Sequence, residues 1–159
     1  MIFFTRKLYD GYQPNSGWER RAMKTWLKLS SLYQDYRKTI SPLLPKSIVE
    51  LDRHGLHDAV VTSCSMADGE FKIVLDATNA LSKWRGKLVT LTFMGVVNRV
   101  QTRSIPSQWW LYAELHLSSS AKYSLHVLLT DSEMQIDADD LRIETINANP
   151  TRLGRNTKR

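Results

Sequence analysis

Four side chains near the middle of the chain have the types and spacing that a metal site requires. Glu50, His54, His57 and Asp58 are separated by four, three and one residues, so they would cluster if all lay on one helix. Gly55 argues against such a helix, because glycine commonly lies just past a helix C-terminus. If a strand follows, His57 and Asp58 point to opposite faces. We therefore predict a junction between helix and sheet, with a metal site at His54, His57 and Asp58 as the alternative.

A second group of polar and aromatic side chains falls on two predicted strands, 109–117 and 123–130. Apolar residues alternate along both strands, so the remaining side chains share the opposite face. If both apolar sets lie on one side, either Glu114 or His116 lies opposite His126. Tryptophan and tyrosine dominate binding hot spots, so this face predicts a recognition surface, unless the helix or the sheet itself covers it. Its members are Trp110, Tyr112, Glu114, His116, His126 and Leu128.

No other stretch presents catalytic residues in a recognisable arrangement. Cys64, the single cysteine, lies in an apolar strand segment and is expected to be a small core residue. The acidic run 131–140 lacks the glycine and the terminal glutamate of a calcium loop, which favours a solvated turn. Phosphate-binding glycine loops and nucleophile elbows are also missing. We therefore expect no cofactor and favour a protein that is not an enzyme.

The net charge of +6 is unevenly distributed along the 159 residues. Residues 1–48 hold nine Lys or Arg against three Asp or Glu, residues 49–150 hold nine against thirteen, and residues 151–159 hold four against none. Nucleic-acid binders usually carry a basic stripe on the folded core, and here the core is mildly acidic. A dipolar distribution of this kind favours a charged protein partner, although the basic helix and tail leave nucleic acid as an alternative partner.

The sequence also bears on the compartment. No apolar run approaches the roughly 18 residues that a membrane span requires. The opening MIFFTRKLYDGYQ lacks the layout of a signal peptide, since its charges follow the apolar residues. One cysteine cannot form a disulfide framework within a chain. We expect a cytoplasmic protein without membrane association.

One long amphipathic helix precedes the two candidate groups. The stretch Ser16-Gly17-Trp18-Glu19 fits a capping box, and apolar residues then recur every three or four positions up to Ile40. Pro42 and Pro45 end this helix, and a shorter one from about Lys46 to Arg53 can follow. We expect the stripe to pack in the core. It comprises Trp18, Ala22, Trp26, Leu29, Tyr33, Tyr36 and Ile40.

Beyond Gly55 the periodicity changes from helical to alternating. Asp68-Gly69 predicts a tight hairpin turn, Gly95 predicts a bulge or bend, and short turns favour antiparallel pairing. We predict an α+β fold, in which the long helix of an N-terminal helical segment packs on a curved, mostly antiparallel sheet of about six or seven strands. The predicted limits are a single domain, 1–150, with its helical segment at 1–54 and its sheet at 55–147, followed by a basic flexible tail at 151–159.

Three stretches of the chain carry a family resemblance. They are FFTRKLYDGYQ near the start, LHDA at 56–59 and YSLHVLLTDSEMQIDADDLRI at 123–143. Together they resemble a family of uncharacterised bacterial proteins, a domain of unknown function, although Leu8 replaces the aromatic residue of the family pattern. The resemblance implies no catalytic residue, because the family has no established activity. In general character the chain is also similar to bacterial immunity proteins that neutralise toxins.

Three functional hypotheses follow. The first is a non-enzymatic protein-binding protein, such as a toxin-neutralising immunity protein, because a catalytic set is missing while a charge dipole and an aromatic face are present. The second is a metal-assisted hydrolase that uses the histidines of either candidate group. The third is a nucleic-acid-binding accessory protein that uses the basic helix and tail.

Overall fold

A computed structural model of the chain describes residues 1–13, 17–101 and 104–148. Within them, three α-helices precede eight antiparallel strands, which confirms the α+β class and the antiparallel pairing. The predicted N-cap Ser16 and the predicted tail 151–159 lie outside the described residues. No helix in the described part of the chain is long and apolar enough to cross a membrane.

The elements follow one another in two blocks. The helices are α1 (Arg6–Tyr12), α2 (Glu19–Ile40) and α3 (Lys46–His54), with a 3₁₀ turn at Ser41–Leu43 between the last two. The strands are β1 (Ala59–Ala67), β2 (Glu70–Asp76), β3 (Lys87–Met94), β4 (Asn98–Gln101), β5 (Trp109–His116), β6 (Tyr123–Leu129), β7 (Glu133–Ala138) and β8 (Asp140–Asn147).

The long helix α2 is the one that the apolar spacing predicts. Its apolar stripe is buried only in part, because Ala22, Tyr33 and Ile40 are buried whereas Trp18, just before the helix, is 61% exposed. The prediction of core packing is therefore wrong for the first residue of the stripe.

The sheet has eight strands against the six or seven predicted, and two long strands are each divided at a corner. Gly95 lies in the corner between β3 and β4, and Asp139 alone joins β7 to β8. In the strand order β4-β7-β6-β5-β1-β2-β3-β8, the strands β7 and β8 lie six places apart. Six strand spacings would separate them by about 29 Å in a flat sheet, which one linking residue cannot span. The sheet must therefore curl, in agreement with the predicted curvature.

A hydrophobic core fills the space that the curled sheet encloses. It combines side chains of β2 and β3, such as Ile73 and Leu91, with side chains of β6 and β7, such as Leu125 and Ile136. Ile48 of α3 belongs to the same core, and α3 contacts both β5 and β8. The register of β1 with β5 comprises two pairs at the start of β1, and β5 extends beyond them on the side where α3 precedes β1.

The corner between β3 and β4 depends on Gly95. Its φ of +63° is a conformation that residues with a Cβ rarely adopt. A Cβ at this position would lie 2.7 Å from Asp139 Oδ2 and 3.0 Å from Asp139 Cβ. The Asp139 N–H in turn donates to the carbonyl of Met94. The two corners of the sheet therefore fit directly against each other.

Replacement of Gly95 by alanine should lower the free energy of unfolding by about 3 kcal/mol, because backbone strain and the contact with Asp139 act together. Gly69→Ala is the matched control, since Gly69 has a φ of +75° in the β1–β2 turn with open space around it. Strain alone should cost about 1–2 kcal/mol there. Chemical denaturation measures both values, and equal losses would show that the corner contact contributes nothing.

Candidate functional site

Strands β5 and β6 adopt one of the two registers that the alternation allows. Glu114 lies opposite His126, and Tyr112 lies opposite Leu128. Paired residues point to the same side of a sheet, so Tyr112, Glu114, His116 and His126 share one face, as predicted. This face is covered, because Glu114 is fully buried and His116 is 8% exposed.

Trp110 does not share that face. The register shifts between Trp110 and Tyr112, and Trp110 pairs with Leu129. Leu129 belongs to the hydrophobic core, and Trp110, at 1% exposure, is a member of the same core. The bulge inserts one residue into β5 and turns Trp110 to the other side.

The carboxylate of Glu114 binds the start of the chain. Oε2 accepts a hydrogen bond from the N–H of Ile2 at 2.7 Å, and Oε1 accepts from the N–H groups of Phe3, at 2.8 Å, and Phe4. His116 Nε2 lies 3.0 Å from Oε2. Burial alone would raise the pKa of Glu114, but the hydrogen bonds from His116 and the three N–H groups hold this pKa below its usual value.

Arg6 fixes the other end of this segment, which we call the N-terminal strap (residues 2–6). Its guanidinium donates to the carbonyls of Thr130, at 2.6 Å, Ser132, at 3.1 Å, and Leu129. These carbonyls belong to the turn between β6 and β7, which the side chain of Gln108 also holds by accepting a bond from the Ser132 hydroxyl. The strap therefore crosses the outer face of β5 and β6 between two fixed points.

Aromatic rings pack the strap against α2. The ring centroid of Phe3 lies 5.2 Å from that of Tyr33, and the centroid of Phe4 lies 4.9 Å from that of Trp26. Trp26 is also 4.4 Å from Tyr112 of β5, in an edge-to-face arrangement. Such pairs stabilise beyond the area they bury, so this cluster joins the strap, α2 and the sheet.

A polar network lies behind the aromatic cluster. The hydroxyl of Tyr33 donates to Asp52 Oδ1 at 2.7 Å and accepts the N–H of Leu115 at 2.7 Å. Arg37 Nε lies 2.9 Å from Asp52 Oδ2, an ion pair without the alignment of a hydrogen bond. Burial raises the pKa of Asp52, while Tyr33 and Arg37 act to lower it. One buried carboxylate of α3 thus ties α2 to β5.

His126 and its neighbours do not form a nucleophilic triad. His126 Nε2 lies 3.1 Å from Ser124 Oγ, and the Ser124 hydroxyl is hydrogen-bonded to Asp137. In a catalytic triad the carboxylate binds the imidazole, which then activates the serine. Here the carboxylate of Asp137 binds the serine instead, so it does not orient the imidazole as a triad requires. Burial lowers the pKa of His126 to about 4, which keeps the ring neutral at pH 7.

The junction HGLHDA joins a helix to a strand, as predicted. Gly55 ends α3 with a φ of +61°, and its N–H donates to the carbonyl of Leu51 at 2.7 Å. β1 begins only at Ala59, so His57 and Asp58 lie in a turn. The expectation that they point apart is wrong, because His57 Nδ1 lies 3.0 Å from Asp58 Oδ1.

The two histidines of the junction contact different aromatic rings. The ring centroid of His54 lies 6.0 Å from Trp84, and that of His57 lies 5.0 Å from Tyr112. Within residues 1–13, 17–101 and 104–148, no group of three or more His, Cys, Asp or Glu side chains could hold a metal ion. The pairing of His57 with Asp58 instead places a carboxylate beside the imidazole at the surface of the turn.

A groove that the sequence does not predict lies between the strap, α1 and α2. Its volume is about 340 Å³, and we call it the α2 groove. Ile2 and Trp18 line it and are 67% and 61% exposed, and the basic side chains Lys7 and Arg21 also line it. The Arg21 guanidinium lies 5.7 Å from the Trp18 ring centroid. Trp18 is the sequence feature that could have indicated the groove, but its helical spacing predicted that it packs in the core.

Comparison with known proteins yields a family match. A family model described as a protein of unknown function (DUF4085) matches residues 12–138. The matched range contains LHDA and β1 to β7, while the strap precedes it. No curated protein matches the chain.

Replacement of Glu114 by glutamine should lower the free energy of unfolding by about 2–3 kcal/mol, because an amide offers one acceptor and turns its own N–H₂ towards the strap donors. The control is Glu144→Gln on β8, an exposed carboxylate whose loss should cost less than about 0.5 kcal/mol. Denaturation gives both values. Faster amide exchange at Phe3 and Phe4 in the first variant would locate the loss in the strap, and unchanged exchange would contradict this assignment.

His126 should make the fold sensitive to acid. Its pKa is about 4 in the folded protein against an ordinary value of 6.5, so between these values the unfolded chain binds a proton that the folded chain does not. Stability should therefore fall as the pH drops from about 6.5 to 4. His126→Gln should flatten that part of a melting-temperature profile, whereas His54→Gln should leave it unchanged. Equal profiles for all three proteins would contradict the assignment.

Proposed function

Because the chain belongs to the DUF4085 family of proteins of unknown function, we propose its function from the geometry: it is a non-enzymatic protein-binding protein that docks its partner in the α2 groove. A bacterial immunity protein that neutralises a toxin is the kind of protein that we have in mind. The observation that carries the proposal is an exposed apolar groove with a basic rim.

The apolar part of the groove supports protein binding. Large apolar side chains that are more than half exposed gather here, with Ile2 on the strap and Trp18 beside the first turn of α2. Leu32, 48% exposed, extends the apolar surface along α2. Tryptophan at the edge of a preformed pocket is the side chain that most often contributes to a binding hot spot.

The charge of the groove supports an acidic partner. Lys7 and Arg21 line it, and none of the described residues that line it is acidic. Residues 1–48, which form the groove, hold the excess of nine basic over three acidic residues. Complementary charge accelerates association and fixes orientation, so a partner with carboxylates around an apolar side chain fits best.

The face predicted to bind supports this function indirectly. Glu114 holds the strap by hydrogen bonds, and Tyr112 and His116 hold it by ring contacts with Phe4 and Phe3. His126 packs against His116, and the strap supplies one wall of the α2 groove. In this proposal these residues are positioning residues. The partner contacts the strap and α2 instead.

Charge and hydrophobicity at the groove can be reversed without touching the core. Ile2→Glu and Arg21→Glu should each weaken partner binding about tenfold or more, because each opposes an acidic, apolar partner. Matched controls are Ile146→Glu, at 66% exposure on β8, and Arg85→Glu in the β2–β3 loop. The unmodified chain, the two variants and the two controls serve as baits in parallel affinity capture from source cells. The captured protein is then purified and titrated with each bait at two salt concentrations.

The proposal requires one acidic protein that binds the unmodified chain and both controls, and binds less at high salt. Capture of nothing, or equal capture by all five baits, would overturn it. Recovery of nucleic acid in place of protein would favour the accessory-protein hypothesis instead.

A further inference from the structure

A second groove follows the outer side of α3, and we call it the α3 groove. Its volume is about 450 Å³, and it shares no lining residue with the α2 groove. Leu44, just after the 3₁₀ turn, lines it together with residues of α3 that recur at spacings of a helical face. On α3 these residues are Lys46, Val49, Glu50, Arg53 and His54.

Basic side chains give the α3 groove a positive charge. Lys46 and Arg53 are exposed, and no acidic side chain in the described part of the chain forms an ion pair with either of them. Glu50 lines the groove between them, and the ammonium group of Lys83 from the β2–β3 loop binds its carboxylate. Three cations therefore surround one carboxylate, which leaves an excess of two positive charges.

The pKa of Glu50 indicates which cation compensates it. This pKa is held below its usual value, and the hydrogen bond from Lys83 is the largest cause. The charge of Arg53 is the smallest of the causes that act on it. Lys83 thus satisfies Glu50, and Arg53 keeps its charge available for a partner.

Apolar side chains line the α3 groove between the two free cations. Val49 lies between Lys46 and Arg53 in the chain, is partly buried and packs against the hydrophobic core. Leu44 is buried and belongs to the same core. An apolar side chain that covered Val49 would be removed from water, which is favourable. The groove therefore fits a surface with an apolar centre and acidic ends.

The spacing of the cations matches a helix. Lys46 and Arg53 are seven residues apart on α3, which is two turns or about 10 Å. Two carboxylates seven positions apart on a partner helix have the same separation. A helix also satisfies its own backbone groups, whereas an extended segment laid on α3 would leave its N–H and C=O groups without protein partners. Amphipathic helices that dock in grooves are a recurring mode of recognition.

A second copy of this chain does not provide such a helix. The acidic residues of α2, Glu19 and Asp35, are sixteen positions apart, and those of α3, Glu50 and Asp52, are two apart. The helix α1 has one acidic residue, Asp10. The occupant that fits is therefore a helix of a different protein.

We propose that the α3 groove binds an acidic amphipathic helix of another protein, with two carboxylates seven positions apart on Lys46 and Arg53 and an apolar side chain over Val49. Glu50 lies on the same side of α3, so it repels a helix that carries an acidic residue midway between these carboxylates. The inference does not rest on the α2 groove, and its failure would leave the proposed function unaffected.

Three alanine-rich helical peptides of about 20 residues test the proposal. The first carries two Glu seven positions apart with two Leu midway between them, the second exchanges the Glu and Leu positions, and the third has Lys in place of Glu. Each is titrated into the full chain while its amide NMR signals are recorded. The first should shift the amides of residues 44–54 and bind about tenfold more tightly than the others. Absence of these shifts, or equal binding of the first peptide and either control peptide, would overturn the proposal.

Lys46→Gln and Arg53→Gln test the two contacts separately. Both side chains are exposed, so the variants should fold. Each should weaken binding of the first peptide about threefold, and the double variant about tenfold, because each removes one surface ion pair. Lys72→Gln, at an exposed position of β2, is the matched control and should change nothing. A loss confined to one of the two single variants, or an equal loss in the control, would contradict the assigned spacing.

Discussion

The buried carboxylate of Glu114 is the interaction on which the outer half of the structure depends. A buried charge is costly unless hydrogen bonds surround it, and Glu114 receives three backbone donors from Ile2, Phe3 and Phe4. Those donors are available only when the strap crosses β5. The strap position in turn sets Phe3 and Phe4 against α2, and α2 then covers the sheet. The α2 groove exists because these two elements lie side by side.

Strands β5 and β6 are consequently buried on both faces. Their inner side chains, such as Leu115 and Leu125, belong to the hydrophobic core, and their outer face holds Glu114 and His116 under the strap. Charged and polar side chains at fully buried positions are stable only as satisfied networks. The links from Glu114 to His116 and from His126 to Ser124 meet that requirement. The strap covers this face, and its backbone donors explain the polar side chains that resembled a recognition surface in the sequence.

The helices and strands could be predicted from short-range signals in the sequence, such as turn residues, helix ends and alternation. The Asp68-Gly69 turn joins β1 to β2, Gly55 ends α3, and alternation left two registers, of which the structure adopts the one with Glu114 opposite His126. The contact between Phe4 and Glu114 could not be predicted, because the two residues are 110 positions apart. The donor is also a backbone N–H, which nearly every residue carries. The bulge at Trp110 escaped for another reason. The first four residues of β5, Trp109–Tyr112, are all apolar or aromatic, so a shift of one residue there leaves the pattern unchanged.

The Tyr112 ring lies between the strap and the HGLHDA turn. On one side it contacts Phe4 and Trp26, at centroid distances of 5.7 and 4.4 Å, and on the other it contacts His57 at 5.0 Å. Close-packed interiors transmit displacements, because no void absorbs them. The position of this ring is therefore fixed jointly by the strap and by the HGLHDA turn. His57, which resembled a metal ligand in the sequence, instead packs against the aromatic ring that contacts the strap.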